Sequence, residues 1–349
     1  MAGIFGFFDY TKEGPGVDPD GPERGPFAKF FGVLGRKFWK IVTINLFYIV
    51  TNLPAIIVAF FVSTIVMTAV FPGLSMETLN ELWDPSMLGE GQTAEQLSAT
   101  ILLGLNFLVA ATAVGLGFVV VGPSHAGATY LLRNYSREEH AFVWSDFWEH
   151  AKKNWKQSTV LSVITTVLFI AVPVAIRFYT EAISNPLFRT LMNTLLIIMF
   201  ITIAVMIMYA YQMMITFELT LRQVIKNSWL FFVLRLPFNL GILLAQLVII
   251  LVIPFALFFF LTSLGMIITI FYFLLFAFAG NLLLVNFFIN RQLKRFMIDP
   301  MLEEEEEALE ADYDYDYDYD EVDEEDEEEE DSREHSSDRD DRREPEPAY

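Results

Sequence analysis

Five runs of this chain exclude Asp, Glu, Lys and Arg altogether: Ile41–Phe71, Ala99–Val121, Gln157–Ile176, Thr190–Phe217 and Leu236–Asn290. A helix needs ~20 apolar residues to cross the hydrocarbon of a bilayer, and every run meets that length. The last would reach about 80 Å as one helix, so it must turn back, and Thr262-Ser263-Leu264-Gly265 offers the turn. The sequence therefore predicts an all-α membrane protein of six transmembrane helices, at about 38–71, 99–121, 157–178, 190–217, 238–261 and 265–290. Burying all six runs in one aqueous core is the alternative, but core helices keep a polar face, and these are polar only at their ends.

Charge divides the chain. Residues 301–349 hold 27 of the 44 acids and 4 of the 23 basic residues, a net of −23, which leaves residues 1–300 at +2. The expected organisation is an N-terminal segment and linker (1–37), a six-helix domain (38–298) and an acidic Tyr/Asp/Glu-rich disordered tail (299–349). Dense carboxylates give the tail at most weak affinity for divalent cations. Glu303–Glu310 reads as a frayed helical extension of the last span. The first forty residues carry no secretory signal, so the first span is the insertion signal. There are no cysteines, which excludes disulfides, thiolate chemistry and Cys-ligated metals.

Lys and Arg gather before span 1, after span 2 (Arg133, Arg137, Lys152, Lys153, Lys156), after span 4 (Arg222, Lys226, Arg235) and after span 6, whereas Pro72–Ser98 has neither. By the positive-inside rule both termini are expected in the cytoplasm. In the loop after span 2, Phe147, Ala151 and Trp155 fall at steps of four, flanked by Lys152, Lys153 and Lys156, with Ser145 as a candidate N-cap. Trp229 lies in a similar basic-aromatic segment. Such helices suit either the bilayer interface or the ends of the protein's own spans. A weak internal echo accompanies them. Span 1 follows Phe38-Trp39-Lys40 and contains Pro54, span 3 follows Asn154-Trp155-Lys156 and contains Pro173, and span 5 follows Pro237-Phe238-Asn239 and contains Pro254. Three helical hairpins of common plan are the corresponding arrangement.

Several motifs in order resemble the YesL-like family of bacterial integral membrane proteins, a domain of unknown function. They are Arg36-Lys37-Phe38-Trp39-Lys40 followed by Asn45-Leu46 and Asn52-Leu53-Pro54; Gly122-Pro123-Ser124-His125-Ala126-Gly127-Ala128; Ser145-Asp146-Phe147-Trp148 leading to Lys152-Lys153-Asn154-Trp155-Lys156; and Phe217-Glu218-Leu219 with Val224-Ile225-Lys226-Asn227. The resemblance covers roughly residues 3–298. It implies a six-helix protein of the bacterial plasma membrane, associated with carbohydrate uptake and with subunits of ATP-driven sugar importers. It implies no reaction and no catalytic residue.

The polar groups inside the spans are the remaining candidates. Asn45, Asn52, Asn106, Gln212, Gln246, Asn281 and Asn286 need partners in hydrocarbon, which interhelical hydrogen bonds supply; a polar path for a small neutral solute is the sharper reading. Pro54 is expected to kink span 1. Gly122-Pro123 is read as the end of span 2, a structural turn or a hinge. No charge lies deep in a span, which argues against ion-coupled transport, and Arg177 is placed to snorkel at an outer end. The methionines of span 4 (Met192 to Met214) read as packing, and His125, His140, His150 and His335 fall outside the spans, so no metal or other cofactor is expected. Phosphate-loop, metalloprotease and nucleophile-elbow motifs are absent. The reading is a non-enzymatic accessory or regulatory component of a solute-uptake system whose partners are the lipid bilayer and transporter subunits, not nucleic acid. A transporter or channel is the alternative, and a membrane enzyme the distant one.

Overall fold

The computed structural model describes residues 25–84, 88, 91–260 and 262–307. Expectations for the first 24 residues and for the tail beyond Glu307 lie outside this set. Among the described residues six helices are long and apolar enough to cross a membrane: Leu53–Val70, Ala94–Gly115, Trp155–Ala182, Pro186–Thr216, Leu236–Phe259 and Leu264–Glu307. No β-strand occurs among the described residues. The chain is an all-helical, multi-pass membrane protein.

Among the described residues the α-helices up to Leu293 are, in order, α1 Pro26–Arg36, α2 Phe38–Thr51, α3 Leu53–Val70, α4 Met76–Leu82, α5 Ala94–Gly115, α6 Gly122–Ser136, α7 Val143–Lys153, α8 Trp155–Ala182, α9 Pro186–Thr216, α10 Leu221–Leu234, α11 Leu236–Leu247, α12 Ile253–Phe260, α13 Thr262–Tyr272 and α14 Phe278–Leu293. A π-helical turn, Val248–Val252, joins α11 to α12, and another, Phe273–Ala277, joins α13 to α14. The chain divides into two compact units, Met1–Asn290 and Arg291–Tyr349. In the second, the described residues form a π-helical turn, Lys294–Ile298, and helix onward to Glu307.

In the first unit, α3 packs on α5, α8 on α9 and α12 on α13, so each consecutive pair of spans forms a hairpin. Each hairpin is entered in the same way. A short amphipathic helix (α1, α7 or α10) stops at one residue, Lys37, Asn154 or Arg235, and a span-bearing helix starts immediately after it. The backbone angles of that residue repeat: φ −102, ψ 9 at both Lys37 and Asn154, and φ −120, ψ 27 at Arg235. So do its hydrogen bonds. Its N–H donates to the carbonyl four residues back (Val33, His150, Phe231), and its own carbonyl accepts from four residues on (Ile41, Ser158, Asn239). The helix bends at one point without losing its ladder, so the amphipathic piece can leave the axis of the span.

An even number of crossings separates α1, α7 and α10, so they share one end of the bundle, called here the basic end. Trp39, Trp144, Trp148, Trp155 and Trp229 are exposed there, five of the six tryptophans, as in an interfacial aromatic belt. Phe147 turns inward instead. It is fully buried on α6, edge-on to Phe47 at 4.6 Å, so with Ala151 it anchors α7 to the protein.

Several boundaries differ from the sequence reading, each for a local reason. Span 1 breaks at Asn52 (φ −98, ψ 6), and Pro54 sits in the first turn of α3, where its missing N–H costs nothing, so it opens a helix rather than kinking one. Span 2 ends at Gly115, not Val121, and Gly122-Pro123 starts α6. Ser145 does not cap α7. The cap is Phe142, whose N–H donates to Asp146 Oδ2 at 2.8 Å. Thr262–Gly265, expected to turn between spans 5 and 6, is helical instead. A methyl on Gly265 would lie 2.4 Å from the Leu257 carbonyl oxygen, so the bare glycine lets the two helices close together.

Candidate functional site

The break between α5 and α6, Leu116–Val121, is where the polar candidates meet. Gly117 adopts φ +79, and a methyl there would lie 2.9 Å from Ile207 Cγ2, so the position demands glycine twice over. A broken helix frees backbone groups that apolar surroundings cannot satisfy, and three other helical segments supply the partners. Asn281 Nδ2 donates to the Gly115 carbonyl at 2.8 Å. Thr165 and Thr166 hydroxyls donate to the Phe118 carbonyl at 2.8 and 3.1 Å. The Val121 N–H donates to Asn52 Oδ1 at 2.8 Å, and Ser124 Oγ donates to the Thr51 carbonyl at 3.2 Å. The breaks of spans 1 and 2 are thus stitched to each other. Gly122 permits this, because a methyl on it would lie 2.0 Å from the Ser158 carbonyl oxygen of α8.

One turn into α6, His125 is buried. Its Nδ1 shares a hydrogen bond of 2.8 Å with Tyr48 Oη, and its ring meets that of Tyr211 edge-on at 4.3 Å. Burial pushes its pKa down to about 3, so at neutral pH the imidazole is uncharged and a weak base. Beside it lies a cavity of about 20 Å³ whose wall includes Thr129, Tyr211, Gln212 and Gln246. Tyr211 Oη, Gln212 Oε1 and Gln246 Oε1 are buried with no hydrogen-bond partner, as is Asn281 Oδ1. The orientation of Gln212 is dictated from behind. Asn286 Nδ2 donates to the Leu282 carbonyl, Asn286 Oδ1 therefore accepts from Gln212 Nε2, and Gln212 Oε1 is left over. The cavity has the size of one water molecule. A water there could donate to both glutamines and accept from Tyr211. The arrangement is neutral, small and suited to positioning by hydrogen bonds.

The sequence candidates fall into two groups. Asn52, Gly122, Pro123 and Asn281 converge on the break, and Gln212 and Gln246 line the cavity. The others serve separate joints. Asn45 Nδ2 donates to the Phe273 and Leu274 carbonyls while its Oδ1 accepts from the Ala279 N–H, all at 2.8 Å, so it closes the π-helical turn of span 6. Asn106 ties spans 1 and 2 through Ser63, Thr64 and the Phe60 carbonyl. Pro173 lies inside α8, and Pro254 occupies the start of α12 behind a π-helical turn. At the basic end Lys152, Lys153, Trp155, Lys156 and Trp229 are exposed. Arg177 donates to the Thr68 carbonyl at 3.0 Å and pairs with Glu181 at 2.6 Å. Gly117, Tyr48, Thr129 and Tyr211 were not singled out by sequence, and His125 was noted only as part of the Gly122–Ala128 motif and as lying outside the spans. The two glycines at 115 and 117 followed by Gly122-Pro123 bracket the break and are its one visible signal. Among the described residues no three His, Asp or Glu side chains gather as a metal site would require.

These features define a polytopic helical membrane protein with an interrupted second span closed by a buried polar cluster. A family described as a protein of unknown function, DUF624, matches residues 102–175. That segment runs from within α5 through the break, α6 and α7 to just past Pro173, and so contains the whole interruption. Comparison with curated proteins and with solved structures returns no match.

Proposed function

We propose that this chain is a non-enzymatic membrane component that works through contact with other proteins, as an accessory or regulator of a solute-uptake system. The observation that carries the proposal is how the intramembrane amides are used. Asn45, Asn52, Asn106, Asn281 and Asn286 bond to the backbone or side chains of neighbouring helices, and the cavity walled by Gln212 and Gln246 is about 20 Å³. Ligand sites span several hundred Å³, so the cavity beside His125 is too small for a sugar, which favours a packed scaffold over a solute path at that point. The exposed tryptophans and lysines of the basic end give such a scaffold a face for partners. Carbohydrate as the solute class and a sugar importer as the partner rest on the resemblance to the YesL-like family. The test is reconstitution. Purified protein in liposomes should move no sugar, while crosslinking in native membranes should recover importer subunits. Sugar flux by the protein alone would overturn the proposal in favour of a transporter.

A further inference from the structure

The cavity beside His125 lies where the three hairpins meet. His125 reaches it from α6, the continuation of span 2; Tyr211 and Gln212 reach it from span 4; Gln246 reaches it from span 5. Three of these side chains hold a polar atom that the protein leaves unpaired. Tyr211 Oη, Gln212 Oε1 and Gln246 Oε1 are buried without a hydrogen-bond partner, in residues at most 3% exposed. An oxygen so placed costs its full desolvation unless something polar reaches it. Gln246 shows the contrast within one helix. Asn239, about two turns earlier on the same face of α11, accepts from Tyr209 Oη at 2.6 Å and donates to the Phe231 carbonyl at 2.9 Å. The Gln246 oxygen has no such neighbour.

His125 brings a donor to the same point. Its Nδ1 shares a hydrogen bond of 2.8 Å with Tyr48 Oη, the one such bond that this phenol makes among the described residues. The phenol must therefore donate if its own proton is to be paired. Nδ1 then accepts, and the imidazole, uncharged at neutral pH, carries its proton on Nε2. Thr129 adds no donor, because its hydroxyl already donates to the His125 carbonyl at 2.7 Å. Gln212 adds only an acceptor, because its Nε2 is held by Asn286. The wall thus offers two hydrogens, on His125 Nε2 and Tyr211 Oη, and two acceptors, Gln212 Oε1 and Gln246 Oε1. That set is the complement of one water. The volume of about 20 Å³ also suits one, which needs ~10–15 Å³. No Asp or Glu lines the cavity among the described residues, so a bare cation there would be buried without a counter-charge and against two donors. We propose that the cavity binds one water molecule, which accepts from His125 Nε2 and Tyr211 Oη, donates to Gln212 Oε1 and Gln246 Oε1, and so joins the three hairpins at a single point. The site does not depend on which partner the scaffold serves.

The experiment uses the full-length protein in lipid bilayers, labelled with 15N-histidine and observed by solid-state NMR at pH 7. The His125 resonances are identified by their loss in His125→Asn or, if that variant does not fold, by elimination with His140→Asn, His150→Asn and His335→Asn. The expected result is a neutral ring protonated on Nε2, whose proton receives magnetisation from water although the ring is buried. A proton on Nδ1, or no transfer from water, overturns the site, and both are read on the native chain. Thermal unfolding of the same protein in nanodiscs tests the bridge. Gln212→Leu and Gln246→Leu should each lower the midpoint by about 3 °C or more, and the double variant should lose clearly less than the sum, because either change alone already breaks the shared link. Gln212→Leu and Asn106→Leu, which share no partner, should add. Additive losses for the two glutamines overturn the bridge. Midpoints in sodium, potassium and ammonium chloride should equal that in choline chloride at constant ionic strength. A rise with one of the small cations, lost in Gln246→Leu, replaces the water by an ion and overturns the proposal.

Discussion

Replacing Asn45 by leucine separates a structural amide from a polar path most cleanly. Leucine nearly conserves volume, so the change is chemical. Three backbone groups of span 6 lose their partner: the carbonyls of Phe273 and Leu274 and the N–H of Ala279, each bonded at 2.8 Å. A π-helical turn leaves such groups without the usual ladder, and Asn45 is fully buried, so water does not replace it. Interhelical hydrogen bonds in membranes average ~0.6 kcal/mol and reach ~1.7 kcal/mol; three give a loss of ~2 to ~5 kcal/mol. Asn106→Leu is the control. The Phe60 carbonyl that Asn106 bonds also accepts from Ser63 at 2.8 Å and Thr64 at 3.4 Å, so it stays satisfied, and the cost should be under about 1 kcal/mol. Reversible unfolding in mixed micelles, titrated with a denaturing detergent, measures both. If Asn45→Leu costs no more than Asn106→Leu, the assignment of Asn45 as the closure of the π-helical turn is wrong.

Gly117→Ala should destabilise by about 1–2 kcal/mol from the left-handed backbone alone, with overpacking against Ile207 added; trimming Ile207 to valine should recover the second part and not the first, read by the same unfolding titration. His125 titrates at about 3 when folded, below the ordinary histidine value, so between those values the unfolded chain binds more protons. Stability should therefore be complete above about pH 6.5 and fall as pH drops towards 3. Thermal midpoints measured from pH 7.5 to 4.5 should show this fall in the native chain, and His125→Asn should flatten it.

The spans were legible because exclusion of charge over twenty residues has almost no other cause. The amides were legible for the same reason, since Asn52, Asn281 and Gln212 need partners wherever they sit in oil. Their partners were not. Asn52 and Asn281 bond to backbone groups exposed only where a helix is interrupted, Gln212 bonds to the side chain of Asn286 on α14, and Leu116–Val121 is as apolar as the span before it. Hydropathy carries no mark of that interruption. Pro54 and Gly122-Pro123 were visible but ambiguous. A proline in an apolar run either kinks a helix or opens one, and in both cases here the residue before the new helix, Asn52 or Val121, settles it by making the cross-link between the two breaks. The three single-residue bends at Lys37, Asn154 and Arg235 coincide with the sequence echo before spans 1, 3 and 5, so the repeat showed more clearly in those short basic-aromatic motifs than in the spans.

Helix α6 was the least legible element because it inverts the usual association of polarity with exposure. His125, Thr129, Arg133 and Asn134 are all buried, on a helix that composition alone would assign to a solvated loop. The physical reason lies in the breaks around it. Interrupted helices expose carbonyls and N–H groups that need polar partners, and a polar helix needs those partners to be buried at all. Neither requirement can be met alone. Tyr48 meets His125, Ser124 meets Thr51, and Arg133 meets Ile215 and Thr216, so spans 1 and 4 both close on α6. Gly127 brings α7 onto it as well, since a methyl there would lie 2.6 Å from the Phe147 carbonyl oxygen. A change in how α7 sits at the basic end is therefore applied directly to the helix that stitches the bundle together.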